Sequence, residues 1–374
     1  MRIKSLRIKN HFLGWEFEEI NFISNLTLLV GGSGVGKTQI LNAINDLKKI
    51  ANGTSINGLE WSIIFSIDSG EEYKWEGKFE SKDYNEVWST DVDEKGFNLV
   101  FEKLTSYIDE GFLFERNPNL IVFRGKTLPK LSSIESMMHI LAEEEEIKKV
   151  VSAFNKIKLK DNTRKENTQS TIVETFLEEL KQYKKIEYIK NLPLPITAKL
   201  YLCQESKRDI FYQIENRFKD IFPQIEAVQI RAKHSVVFQL VELTIYIKEK
   251  GVPKWIKESR ISSGMLRTLI HIAELYLSSN GSVILIDEFE NSLGVNCIDI
   301  LTDDLIHENK SIQFIATSHH PYIINNIPYE YWKIVSRKGG KISVRNAAAH
   351  KLGKSKQAAF LQLTKILEKQ AAAI

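Results

Sequence analysis

A chain of 374 residues, 43% hydrophobic and 26% charged, carries enough apolar surface to close one large core or two modest ones, which excludes a disordered or collagen-like polypeptide. Its formal net charge of +3 does not by itself argue for nucleic acid, and its 2 cysteines, Cys203 and Cys297, exclude a disulfide scaffold and point to a reducing, cytoplasmic setting. There is no apolar run of about 18 residues or more, and Met1-Arg2-Ile3-Lys4 alternates charge with apolar residues, so neither a membrane span nor a signal-peptide core is expected.

Residues 2–8 alternate polar and apolar and read as a strand, with a second strand around 17–22. Leu26-Thr27-Leu28-Leu29-Val30 is short and apolar, as a buried parallel strand is. Glycines from Gly31 to Gly36 break it, and residues 37–49 then read as a helix with Ile40, Leu41, Ile44 and Leu47 on one face. Alternating segments at 63–67 and 73–79 flank Asp68-Ser69-Gly70, which is hairpin chemistry. A short strand is expected at 120–123. Residues 134–222 are rich in Glu, Lys and Leu with helical spacing at Ile147, Val150, Val151 and Phe154, interrupted by a polar loop at 161–170 and by Pro193 and Pro195. Strands resume at 236–248 and near Trp255. A helix spans 265–277, buried strands follow at 283–286 and 311–316, and a hairpin at 332–335 and 342–344 turns at Gly339-Gly340. The tail from Ala347 reads as helix.

Four segments carry chemistry. Gly31-Gly32-Ser33-Gly34-Val35-Gly36-Lys37-Thr38 fits G-x-x-x-x-G-K-[ST] and lies between a strand and a helix. Glycines let the backbone wrap phosphates with its N–H groups inward, and the helix N-terminus adds positive potential. Lys37 is placed to reach the β- and γ-phosphates and Thr38 to ligate Mg²⁺. Val283-Ile284-Leu285-Ile286-Asp287-Glu288 reads as a buried strand ending in two carboxylates, Asp287 to hold Mg²⁺ and Glu288 to polarise an attacking water as general base. Ile261-Ser262-Ser263-Gly264-Met265 opens an apolar helix; it offers N–H groups and a hydroxyl to a phosphate, and although taken alone it is also a plain N-cap, its place just upstream of the carboxylate strand favours the phosphate role. Ile315-Ala316-Thr317-Ser318 is a strand end running into His319, His320 and Pro321. Basic clusters at Lys156, Lys158, Lys160, Arg164 and Lys165, at Arg337, Lys338 and Lys341, and at Lys351, Lys354 and Lys356 read chiefly as solvated faces.

The order of these segments resembles the SMC/RecF/OLD branch of ABC ATPases: phosphate loop first, then a long insertion, then signature, carboxylates and histidine close together. The opening Leu6-Arg7-Ile8-Lys9-Asn10 and the run Thr27-Leu28-Leu29-Val30-Gly31 are similar to that branch as well. The short insertion and Asp287-Glu288-Phe289-Glu290 most resemble stand-alone ATPases of bacterial antiphage systems of the Septu, PARIS and retron types. The resemblance covers residues 1–50 and 255–335, and the middle by pattern alone. It implies an ATPase using ATP and Mg²⁺, closed by head-to-tail pairing of two copies. Each site then takes Lys37, Thr38, Asp287, Glu288 and the switch histidine His319 from one chain, with Ser262, Ser263 and Gly264 from the other. Glu290-Asn291-Ser292-Leu293 falls where such proteins place a loop across the dimer interface, and His11 or Phe12 where adenine is met. The glutamine loop is expected around 124–136, which contains no glutamine. Ser263 and Met265 depart from the L-S-G-G-Q signature, and Gly294-Val295 from E-x-x-L-H-P, which bears on hydrolysis speed more than on binding. The insertion is too short for a long coiled coil, and the residues after Val335 are too few for a TOPRIM nuclease.

The expected fold is α/β: a mixed sheet around the phosphate loop, an antiparallel N-terminal layer and a helical insertion. Residues 1–130 form the N-terminal lobe, 131–225 the insertion, 226–346 the C-terminal lobe and 347–374 a helical tail. Functionally the chain reads as a cytoplasmic ATP-driven homo-oligomeric switch controlling a separate effector protein. Two other classes stay open: a RecF-like DNA-binding repair ATPase, and an ATP-gated scaffold with negligible turnover.

Overall fold

The computed structural model describes residues 1–83, 96–107, 111–161, 170–182, 185–235, 239–290, 311–319, 324 and 327–347. They belong to two compact units, one of residues 1–161, 280–288 and 310–374, the other of residues 162–279 and 289–309.

The first unit begins with alternation: β1 (Arg2–Asn10) buries Ile3, Leu6 and Ile8 while Lys4, Arg7 and Lys9 face water. β2 (Trp15–Asn21) pairs antiparallel with it. β3 (Leu26–Val30) is buried at every position, as a parallel strand covered on both faces must be. α1 (Lys37–Ala51) buries Ile40, Leu41, Ile44 and Leu47, the face that its spacing predicts. β4 (Leu59–Ser66) and β5 (Glu72–Phe79) form the expected hairpin. β6 (Leu99–Ser106), β7 (Gly111–Arg116), β8 (Ile121–Phe123) and β9 (Lys126–Thr127) extend it antiparallel. α2 (Met137–Ile140), α3 (Glu145–Asn155) and β10 (Ile157–Asp161) follow.

In the second unit, β11 (Ser170–Val173) leads into α4 (Glu174–Lys181), α5 (Ile186–Asn191), α6 (Ile196–Ser206) and α7 (Arg208–Ile221). β12 (Ile225–Ser235), β13 (Leu240–Glu249) and β14 (Ile256–Lys257) complete a four-stranded antiparallel sheet, and α8 (Ser263–Leu277) closes the unit. The insertion is therefore helical and sheet-bearing at once. The boundaries at 131 and 226 do not coincide with the units: residues 131–161 go with the first, and the helix after Ser262 goes with the second. β12, which the sequence pattern does not predict, carries a bulge between Ile225 and Ala227 and is paired in continuous register from Ala227 to Ser235.

The chain then returns to the first unit with β15 (Val283–Asp287), β16 (Gln313–Ser318), β17 (Trp332–Lys338) and β18 (Lys341–Asn346). One mixed 14-stranded sheet results, in the order β10-β15-β16-β3-β17-β18-β2-β1-β4-β5-β6-β7-β8-β9. It is parallel from β10 to β17 and antiparallel from β2 to β9. α1 and α3 share its core: Phe154 of α3 meets Phe65 at 5.1 Å and Trp75 at 5.2 Å, both edge to face. The lysines at 158 and 160 fall on edge strand β10, where charge discourages pairing with another sheet, and Lys156 is tied to Asp68 and to the Asn280 carbonyl. The expected tail helix lies, beyond Ala347, outside the described residues. No helix among the described residues is long and apolar enough to cross a membrane.

Candidate functional site

Three parallel strands, β3, β15 and β16, end at one edge of the sheet, β3 running into the glycine loop and β15 and β16 ending in polar residues. A cleft of about 500 Å³ opens there, lined by residues of the 31–39 loop and by Asp287, Glu288, Thr317 and His319. Sequence segments that are remote along the chain are thus brought to one place inside the first unit.

The glycine loop is shaped by close approach. A Cβ on Gly31 would lie 2.7 Å from the Val335 carbonyl oxygen. Gly36 has φ +104°, a left-handed conformation, and a Cβ there would clash with Ile342 Cδ1. Val35 differs from its neighbours: its side chain is buried in the core, so only its backbone is available to the loop. α1 starts directly after Gly36 with no side-chain cap on its N-terminus. Lys37 Nζ donates to the carbonyl oxygens of Gly31, at 2.9 Å, and Gly32, at 2.8 Å, folding back over the loop it follows.

The carboxylate edge is held from two sides. Thr38 Oγ1 lies 3.1 Å from Asp287 Oδ1 and 2.9 Å from Oδ2. Thr317 Oγ1 donates to Asp287 Oδ1 at 2.6 Å and accepts from the Glu288 amide at 2.8 Å. Glu288 itself has φ +47°, which is rare for a residue with a Cβ. His319 is exposed and lines the same cleft.

This donor set fits a triphosphate with a hard divalent cation. Thr38 Oγ1 and the Asp287 carboxylate are oxygen donors close enough to share one Mg²⁺. An uncapped helix N-terminus behind a glycine loop suits an anion. Gln39 Oε1, in the cleft lining, is buried with no hydrogen-bond partner among the described residues; turning the amide over presents its NH₂ instead. Sequence alone assigns no role to Gln39 or Thr317. Thr317 has the weaker signal there, as a strand residue in an apolar run.

Other expected residues lie elsewhere. Ser262 and Ser263 are exposed, and they begin α8 in the second unit. Ser262 caps that helix, accepting from the Met265 amide at 3.3 Å, and the Gly264 carbonyl accepts from Thr268 Oγ1 at 2.8 Å. His11 bonds to Glu60 Oε2 at 2.6 Å, and neither His11 nor Phe12 lines the phosphate cleft. Residues 291–293, Cys297, His320 and Pro321 are outside the described residues. The region 124–136 follows β8 at the far antiparallel edge of the sheet order. The strand beside the carboxylates is β10 instead, with Asp161 in register with Asp287. The segment leaving β10, residues 162–169, lies outside the described residues.

A family model described as "AAA domain, putative AbiEii toxin, Type IV TA system" matches residues 26–325. Comparison with curated proteins finds no match. Among solved structures, the chain is similar to an SmcHead bound to the C-winged helix domain of ScpA, at 15% identity and a TM-score of 0.51, covering 92% of this chain and 97% of that one. The SMC head domain from Thermotoga maritima matches at 13% identity and a TM-score of 0.41, covering 92% and 99%. An Smc head domain with an extended coiled coil bound to the C-terminal domain of ScpA, from Pyrococcus furiosus, matches at 16% and 0.45, covering 98% and 99%. At such identities the likeness speaks to fold.

Proposed function

The chain belongs to the family described as AAA domain, putative AbiEii toxin, Type IV TA system, a P-loop ATPase of the SMC/RecF-like ABC type, and from that premise we propose that it hydrolyses ATP as a head-to-tail dimer switching a separate effector of an antiphage complex. The observation that carries the chemistry is the gathering of Lys37, Thr38, Asp287, Glu288 and His319 into one cleft. In this reading Lys37 leaves its two loop carbonyls for phosphate oxygens, and Thr38 and Asp287 hold Mg²⁺. When bound, that cation neutralises charge across the phosphates. Glu288 orients the attacking water and accepts its proton, and His319 reads the terminal phosphate from β16. Ser262, Ser263 and Gly264 of a second copy close the site, which makes nucleotide the assembly signal and hydrolysis the reset. The resemblance of the sequence to stand-alone defence ATPases supports the effector-controlling role.

Two variants and one native-mass measurement test this. Lys37→Ala should weaken ATP uptake about a hundredfold or more. Glu288→Gln should keep uptake, stop turnover and accumulate an ATP-bound dimer, alone and beside the product of the adjacent gene. A Glu288→Gln protein as active and as monomeric as wild type would overturn the scheme.

A further inference from the structure

We propose that Thr317 is a positioning residue for hydrolysis, its single hydroxyl fixing both the Asp287 carboxylate and the backbone of Glu288; the claim rests on the ATPase reading above. Thr317 is 1% exposed and sits one residue before the end of β16. Its Oγ1 is 2.6 Å from Asp287 Oδ1 and 2.8 Å from the Glu288 amide nitrogen. An amide N–H can only donate, so the hydroxyl accepts there and its own proton goes to the carboxylate. The direction of the chain is therefore fixed, from Glu288 amide to Thr317 hydroxyl to Asp287, and each bond polarises the next.

Two consequences follow for the reacting groups. Asp287 is gripped by two hydroxyls, by Thr38 from α1 and by Thr317 from β16. Thr38 is the partner that a cation would engage, whereas the Thr317 bond is buried and can persist when the cation is held. Second, Glu288 stands at φ +47°, a conformation that side chains with a Cβ avoid. Such a conformation persists only where neighbours over-determine it, and the Thr317 bond to its amide is a contact that does so directly. β16 thus links its own histidine, two residues on, to the placement of the general base.

The bland alternative is a buried threonine that merely satisfies its hydroxyl. In that case its loss would lower stability and leave turnover alone. Thr317→Val, which keeps the shape, Thr317→Ala, which adds no bulk should Val fail to fold, and Thr317→Ser, which keeps the hydroxyl, separate the two. In the full chain, Val and Ala should lower kcat by about thirty- to a hundredfold while KM for ATP stays within about threefold, and Ser should recover to within about threefold of wild type. Without nucleotide, amide exchange at Glu288 should rise about tenfold or more in Val and Ala and not in Ser. Combined with Asp287→Asn, Thr317→Val should cost far less than the product of the two single losses. A folded Val or Ala protein with wild-type kcat, a folded Ser protein as impaired as Val, or unchanged exchange at Glu288 would each overturn the proposal. Those outcomes in an active wild type sink Thr317 alone. A wild type that takes up ATP but never hydrolyses it sinks the hydrolytic reading, and this one with it.

Discussion

Glu102 shows how one buried side chain can tie a loop to a sheet. It is fully buried on β6 and accepts from Trp75 Nε1 at 3.0 Å, from the Met137 amide at 2.8 Å and from Ser136 Oγ. The loop before α2 is thereby tied to two strands, and Arg116 adds bonds to the Ser132 and Glu135 carbonyls at 2.8 and 2.9 Å. Burial pushes the Glu102 carboxyl above its ordinary 4.5, opposed by Ser136, Met137, Trp75 and the Arg116 charge. A raised folded value means that the fold holds the proton more tightly than the unfolded chain does. The associated stability is then fully present below the ordinary value and is lost as pH rises through the raised one. Glu102→Gln should flatten that dependence, so urea melts at pH 4 and pH 7 should show wild type losing ground to Gln as pH rises. Glu102→Ala leaves three donors unpaired and should cost about 3 kcal/mol. A wild type-to-Gln difference independent of pH would contradict this account.

At the scale of elements, the pieces that build the cleft were the most legible. β3 reads as an apolar run that stops at glycines, β15 and β16 as apolar runs that stop at polar residues, and α1 shows its buried face as a clean stripe. The β4–β5 and β17–β18 hairpins announce themselves by turn chemistry. What stayed hidden has physical causes. β10 reads as a basic cluster because lysines alternate along an edge strand, and its parallel pairing with β15 is set by residues far away in sequence. Thr317 and Gln313 look like polar blemishes in an apolar strand, since their partners are distant: Gln313 bonds to both the amide and the carbonyl of Ile3, at 2.8 and 2.9 Å, and to the Ile23 carbonyl at 2.9 Å. Ile3 also borders the bulge between Ile3 and Ser5 that shifts the β1–β4 register. Gln313→Leu keeps the bulk and removes every bond. It should cost about 2–4 kcal/mol in chemical denaturation, and a loss under about 1 kcal/mol would show that the backbone groups find other partners.

At the scale of the whole molecule, the question is whether one chain can complete its own site. The phosphate cleft is built entirely within the first unit, and the Ser262-Ser263-Gly264 turn, with both serines exposed, opens a helix of the second. Head-to-tail pairing predicts complementation between two dead chains. Lys37→Ala removes the phosphate grip. Gly264→Asp sets a negative charge in the first turn of α8, which the helix itself favours but a terminal phosphate rejects. Each variant alone should be inactive. In an equal mixture half of the dimers are mixed, and in each of those one site pairs an intact loop with an intact turn while the other has both lesions. Activity should therefore return to about a quarter of wild type when the two-fold dimer is the working form. If both lesions must be absent from the same chain, mixing restores nothing, and steady-state turnover of the mixture against the two separate proteins decides between these arrangements.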